Sequence, residues 1–341
     1  MEPRGELGLG ALMSDQDVVI RPFRPGDERD VNRGFNEVFS CDRPLEEWSW
    51  KFPVEPHGRF IMLAELEGRV VAQYAGLPVR FRIDDAQWTA TQIVDVFATR
   101  AARGPLGRRG IWVRTVDEYF DVFGRSGRAP LLFGFPGRRH RRLGILQLGY
   151  DSMDPQPINY LVRRSLGPSA GGRRLLYRAE LGRDWEPRLD SLWRRVRHQY
   201  PVAIVRDARH ALRRYAGHPS VRYHRFLVFP RLSSEPVGYA VFRSDGERLR
   251  WADLVWDHSH PGALDLLVHL SGRLAAQTGC EVEELWLNGD EVGQTRLIRR
   301  EFEVAPEPDD LVMVARAFDP AVDLVALAQG VYLTMGDSDL V

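Results

Sequence analysis

Lysine is almost missing from this chain. Of its 47 basic residues one is a lysine, Lys51, and 46 are arginines; 47 acidic residues balance them to a formal charge of zero. That balance argues against a nucleic-acid protein held by its overall charge, a class that usually shows a basic domain with a pI above about 9; the pI here is 7.2. Cysteine is scarce as well. Cys41 and Cys280 lie far apart, with no CxxC and no His/Cys cluster, so neither a disulfide framework nor a structural metal is expected, and a reducing cytoplasm is the default. No run reaches the roughly 18 apolar residues of a membrane-spanning helix. Residues 1–17 carry only a short apolar run, Leu7 to Met13, preceded by the acids Glu2 and Glu6, and read as a flexible leader rather than a secretory signal.

What is present is enough for two cores. A length of 341 residues predicts about two domains, and 44% hydrophobic with 10% aromatic residues excludes a disordered or fibrous chain. The order of elements is α/β. A strand from Asp17 leads to a helix with Val31, Phe35, Val38 and Phe39 on one side. Arg59 to Glu65 and Arg69 to Arg82 flank the turn dipeptide Glu67-Gly68 and predict a hairpin; Thr89 to Thr99 is a further strand. Ile111 to Phe123 has helical spacing, Pro130 to Phe135 reads as a short buried strand, a basic helix spans about Gly137 to Leu148, and Asn159 to Arg163 supplies a last strand.

The stretch Gly167-Pro-Ser-Ala-Gly-Gly172 marks the expected boundary between domains at 18–165 and 166–320, with a terminal helix and tail at 321–341. After it the order repeats: a helix within Trp185 to Gln199, strands at Tyr223 to Phe229, Glu235 to Phe242 and Leu249 to Trp256, a helix from Gly262 to Gly279, and a strand at Glu284 to Asn288. Trp48 to Pro56 before the first hairpin and Arg213 to Pro219 before the second form a short internal echo of such a duplication.

Between the strand ending at Thr99 and the helix starting at Ile111 lies Arg103-Gly-Pro-Leu-Gly-Arg-Arg-Gly110. Glycines let the backbone approach an anion, and the helix start adds partial positive charge, so the loop can cradle a pyrophosphate; a plain strand-to-helix turn is the alternative. It is not a Walker loop, because no Lys-Ser/Thr follows its last glycine. Codon usage in a GC-rich genome accounts for most of the arginine excess, but not for its distribution. From Arg100 to Arg142 eleven arginines stand against three acids, Asp117, Glu118 and Asp121.

Ile20-Arg-Pro-Phe-Arg-Pro-Gly-Asp27, Val94-Asp-Val-Phe-Ala-Thr99, the Arg/Gly loop, Leu132-Phe-Gly-Phe-Pro136 and Leu148-Gly-Tyr150 together resemble the GCN5-related N-acetyltransferase (GNAT) family over most of residues 18–163. The loop departs from the family's Arg/Gln-x-x-Gly-x-Gly/Ala pattern, with Arg103, Gly107 and Gly110 as the nearest reading. The resemblance implies two tandem GNAT-like domains, each a mixed, mostly antiparallel sheet flanked by helices. It implies acyl-CoA as co-substrate, its pantetheine arm beside Val96, Phe97 and Ala98 and its pyrophosphate held by Arg103, Gly104, Gly107, Arg108, Arg109, Gly110 and Ile111. The tyrosine that serves many members as general acid is replaced by Ile145, which leaves Asp95, His140, Tyr150, His198 and Glu118 as candidates for acid or base.

The second half lacks a glycine-rich loop at the corresponding place, so it is read as a degenerate domain that shapes the acceptor pocket; His258 and His260 beside its helix cap, without a third partner nearby, are weak evidence for a metal, and none is expected. Tandem enzymes of this fold can bring their own terminal carboxylate to the active site. Asp337, Asp339 and the Val341 carboxylate are therefore acceptor-side candidates, as are Trp48 and Trp50, for which core packing is the alternative. The expectation is an acyl-CoA:amine N-acyltransferase of the cytoplasm, a monomer or small homo-oligomer. Its acceptor would be a small-molecule amine, an amino sugar or an antibiotic or natural-product amine, including the aminosugar of a glycopeptide; no nucleic acid or membrane is expected as partner. An aminoacyl-tRNA-dependent peptidyl transferase of similar tandem fold and a non-catalytic CoA- or ligand-binding protein are the alternatives.

Overall fold

The computed structural model describes residues 18–54, 58–102, 110–149, 154–164 and 172–341, without the side chains at 139, 140, 143, 147, 172 and 173. The first half runs β1 (Val18–Pro22), α1 (Glu28–Phe39), α2 (Leu45–Lys51), β2 (Phe60–Leu66), β3 (Arg69–Ile83), β4 (Ala86–Ala98), α3 (Ile111–Tyr119), β5 (Leu131–Gly134), α4 (Arg138–Leu148), β6 (Gln156–Pro157) and β7 (Tyr160–Arg163). The second half follows with β8 (Tyr177–Leu181), α5 (Arg188–Val196), β9 (Val202–Ile204), α6 (Ala208–Tyr215), β10 (Tyr223–Pro230), β11 (Gly238–Asp245), β12 (Arg248–Trp256) and α7 (Pro261–Thr278). Then come β13 (Val282–Trp286), α8 (Glu291–Ile298), β14 (Glu303–Ala305), β15 (Val312–Ala317) and α9 (Leu324–Gly330).

Two mixed sheets result. Turn chemistry sets their hairpins: Glu67 and Gly68 both have positive φ, 50° and 74°, the backbone that joins right-twisted strands through a two-residue loop. The first sheet has the order β1-β2-β3-β4-β5-β15-β6, with β9 beside the far end of β3; the second has the order β14-β7-β13-β12-β11-β10-β8. In each, one parallel pair interrupts antiparallel neighbours: β4 with β5 in the first, β12 with β13 in the second. A helix links each parallel pair, α3 and α7 respectively. The repeat expected from the sequence is therefore present as topology, and α2 and α6 each precede the long hairpins of their own half.

One expectation is overturned. Residues 160–163 do not finish the first sheet; as β7 they lie between β13 and β14 of the second. Their place is taken by β15, 150 residues later, which pairs antiparallel with β5 through Leu132↔Arg316 and Phe133↔Ala315. The sheets trade a strand across the expected boundary. The physical reason is that all four residues of β7 are buried, and Arg163 finds its counter-charge in Glu283 of the second sheet, at 2.5 Å with both side chains nearly inaccessible. A single apolar cluster joins Phe81 and Phe133 of the first sheet to Trp251, Trp256 and Trp286 of the second. No helix among the described residues is long and apolar enough to cross a membrane.

Candidate active site

The site starts from a defect in β4. Pairing with β3 passes from Ala75↔Val94 to Gln73↔Phe97, so Asp95 and Val96 together oppose Tyr74. Asp95 adopts φ 50°, the left-handed region that a non-glycine residue occupies only when its surroundings insist. The Gln73 amide donates to the Asp95 carbonyl at 2.9 Å and holds this bulge in place. On the other side, β4 pairs with β5 only as far as Gln92↔Phe133. Beyond that point the two strands part and enclose a cleft of about 840 Å³, mouth included, between Ile93–Val96 and Leu132–Pro136. Its walls are mostly apolar. Trp112 of α3, Leu148 of α4 and Arg316 of β15 complete it.

The bulge turns the Asp95 carboxylate into a buried cluster of charge. Arg43 Nη1 donates to its Oδ2 at 2.5 Å and Lys51 Nζ to its Oδ1 at 2.6 Å. Burial alone would raise the Asp95 pKa, but these two cations hold it below the ordinary carboxylate range. Arg43 is itself oriented, because its Nε donates to Asn32 Oδ1 at 2.9 Å and its guanidinium lies over the Phe35 ring at 3.7 Å. Lys51 also donates to Asp339 Oδ2 at 2.9 Å. Burial lowers the Lys51 pKa, yet the carboxylates of Asp339 and Asp95 outweigh it and hold the ammonium above the ordinary lysine value. A second cleft, of about 860 Å³ with its mouth, opens on the far side of this cluster, toward Asp42 and Glu47. Asp95 and Asp339 border both clefts.

Asp339 arrives from the far end of the chain, and the second half delivers it. Arg206 Nη2 holds Asp337 at 2.5 Å and its Nε holds Asp253 at 2.9 Å. Arg214 Nη2 then donates to the carbonyls of Ser338 at 2.7 Å and Val341 at 2.6 Å. With the peptide pinned on either side, the Asp339 side chain is left facing the first half. The clamp has a steric side too: a Cβ on Gly336 would fall 2.6 Å from the Ala252 carbonyl oxygen and against the Tyr215 hydroxyl.

The expected site residues separate accordingly. Asp95, Val96 and Asp339 meet at the first cleft. The Phe97 ring is buried against the α1 face, Ala98 pairs with Ala72, Gly110 is the N-cap of α3, and Ile111 packs against the small apolar cluster around Ala64, Leu66 and Ala102. Arg103, Gly104, Gly107, Arg108, Arg109 and Tyr150 lie outside the described residues, as does the side chain of His140. His198 is exposed on the turn after α5 and Glu118 is exposed on α3; neither borders the two clefts. Trp48 is a core residue, fully buried between Phe23 and Phe52, and Trp50 bridges the halves by donating from Nε1 to the Ala216 carbonyl at 2.7 Å. Asp337 belongs to the clamp, and the Val341 carboxyl is turned onto Arg214. Lys51, Arg43, Arg206 and Arg214 were not anticipated. For Lys51 a signal existed, since it is the one lysine among 47 basic residues.

Residues 19–142 match the family model described as acetyltransferase (GNAT) domain. No curated protein matches the sequence. Among solved structures, a GCN5-related N-acetyltransferase from Anabaena variabilis is similar at 11% identity and a TM-score of 0.67, covering 89% of this chain and 73% of that one. One from Kribbella flavida, at 13% identity and TM-score 0.61, covers 88% and 71%. N-myristoyltransferase from Saccharomyces cerevisiae with bound myristoyl-CoA, at 12% identity and TM-score 0.57, covers 92% and 84%. The bulged fourth strand and the parting of β4 from β5 both fall within residues 19–142, the stretch that matches the GNAT domain model, and the solved structures share the fold of the chain around it.

Proposed function

We propose that the protein is an acyl-CoA-dependent N-acyltransferase that acylates the amine of a small molecule, an amino sugar or the amine of an antibiotic or other natural product, in the cytoplasm and as a monomer or small homo-oligomer. The observation that carries this reading is the parting of β4 from β5 around Asp95. Strand edges past Gln92 and Phe133 are no longer paired to each other, so their amides and carbonyls are available to a pantetheine arm, and the apolar walls suit its acyl end. The start of α3 and the Arg103 to Gly110 loop would take the phosphates.

Electrostatics favour an amine on the other side. Four carboxylates, Asp42, Glu47, Asp95 and Asp339, border the second cleft against two cations, Arg43 and Lys51. A cationic acceptor gains from that surplus. The acceptor ammonium would give its proton to the Asp339 carboxylate, and the neutral nitrogen would attack the thioester carbon from the second cleft. Collapse of the tetrahedral adduct breaks the C–S bond; the adduct nitrogen loses its extra proton, the departing thiolate takes up one through solvent, and Asp339 returns its own proton to solvent.

Calorimetric titration with CoA, acetyl-CoA and a long-chain acyl-CoA tests the first half of the reading, with the double variant Arg108→Ala/Arg109→Ala as control. Binding is expected, weakened at least tenfold in the variant, since a hydrogen bond to a charged group contributes about 1.5–3 kcal/mol. Absence of binding by all three ligands sinks the reading.

A further inference from the structure

Position 51 is where this chain departs from its own habit. At 46 basic positions it uses guanidinium, and at one it uses an ammonium. That ammonium is the group shared by the two acids at the boundary of the clefts, with its side chain 16% exposed. We propose that Lys51 is a positioning residue of the transfer reaction, whose single nitrogen fixes the Asp339 carboxylate between acyl group and acceptor. The inference rests on the acyltransferase reading above.

The geometry explains why arginine does not serve here. Arg206 also joins two acids, but it reaches Asp253 through Nε and Asp337 through Nη2, two separate donors of one planar group. At Lys51, oxygens of Asp95 and Asp339 converge on one atom, at 2.6 and 2.9 Å. The ammonium is a compact donor of three hydrogen bonds, which lets a carboxylate from the tail approach a carboxylate from β4. Asp339 Oδ1 makes no hydrogen bond among the described residues, which leaves that oxygen for a proton from the acceptor. The second half also fixes where the lysine stands. Arg213 Nη2 donates to the Lys51 carbonyl at 3.1 Å, so α6 holds the end of α2 while Arg214 of the same helix holds the tail.

Other charges surround the pair. Asp42, Arg43, Glu47 and the Cys41 thiol face it from the α1–α2 side, Arg316 from β15, and Arg214 and His218 from α6 and the turn after it. The lysine is nonetheless the group bonded to Asp339.

The test compares wild type with Lys51→Met, Lys51→Arg and Asp339→Asn in thiol release from acyl-CoA over a panel of amines. Lys51→Met is expected to lower kcat about 100-fold, the scale of general-base contributions, with KM for acyl-CoA within twofold of wild type. Lys51→Arg should fail to restore the rate, and combining Lys51→Met with Asp339→Asn should cost no more than either change alone. Lys51→Met or Lys51→Arg matching wild type in kcat overturns the inference while leaving the acyltransferase reading intact. A second measurement needs neither turnover nor a folded Lys51 variant. Protein grown on lysine labelled with ¹⁵N at Nζ gives one side-chain ammonium signal, expected to shift in Asp339→Asn, whose exposed side chain makes misfolding a small risk. An unchanged signal overturns the inference even if no amine in the panel is accepted.

Discussion

At the scale of single residues, buried charge in this protein is paired, and removing one partner costs more than the pair is worth. Asp95→Asn would strand Arg43 beside a neutral amide in the interior and leave Lys51 with Asp339 alone. We expect it to fold with about 3–5 kcal/mol less stability, measured by urea unfolding, because an uncompensated buried charge is the expensive outcome. The same pairing sets the response to acid. The Asp253 carboxyl, pulled up by burial but further down by Arg206 and His210, sits at about 2, and Asp95 is likewise depressed. A group with a lowered folded pKa contributes stability above its unfolded value near 4 and loses that contribution as pH falls through the folded value. Thermal midpoints should therefore fall steeply between about pH 4 and pH 2, and less steeply in Asp253→Asn. Asp95 and Asp339 are candidates on their sequence contexts alone, and both line the two clefts. Trp48 and Trp50 could not be told apart there, since the rotation of a seven-residue helix decides which of two neighbouring indoles is buried. Lys51 stood in plain view as a count, and only its two partners, 44 and 288 residues away, turn the count into a site.

Secondary elements divide by how local their causes are. Strands β1 to β5 and helices α1, α3 and α7 follow from alternation, helical spacing and turn dipeptides, all visible within a dozen residues. The three-residue strand β9 and the eight-residue helix α6 escape such reading, because β9 depends on pairing with distant segments, Phe81 to Ile83 on the far hairpin and Val331 near the tail. Yet α6 is what carries Arg213 and Arg214 to the site. Its start depends on the Asp207 side chain, which accepts from the His210 amide at 3.0 Å while also pairing with Arg80 at 2.6 Å. The short turn before the tail has an analogous point of failure at Gly336. Gly336→Ala is expected to loosen residues 334–341, seen as faster amide hydrogen exchange there, and to reduce transfer without weakening acyl-CoA binding. Protection unchanged from wild type would show that the tail does not rely on this close approach.

On the level of the whole molecule, the halves cannot be cut apart at the glycine-rich stretch without cutting the sheets. A fragment of residues 18–165 would expose the edge of β5 that β15 covers and would carry β7, all four residues of it buried in the intact protein, with nothing to pair. We expect that fragment to be insoluble alone and to be rescued by co-expression with residues 166–341, read by gel filtration; a soluble, cooperatively melting fragment would contradict this. The duplication was legible as an order of elements, but the trade of strands was not, because nothing local distinguishes a strand that pairs at home from one that pairs across the boundary. The trade also has a timetable. Translation at about 5–20 residues per second leaves roughly 10–40 s between the emergence of β5 at residue 134 and of its partner β15, complete at residue 317. For that interval the nascent chain presents an open, apolar sheet edge to the cell, so its yield depends on the speed with which the second half is translated and on chaperones that can wait for it.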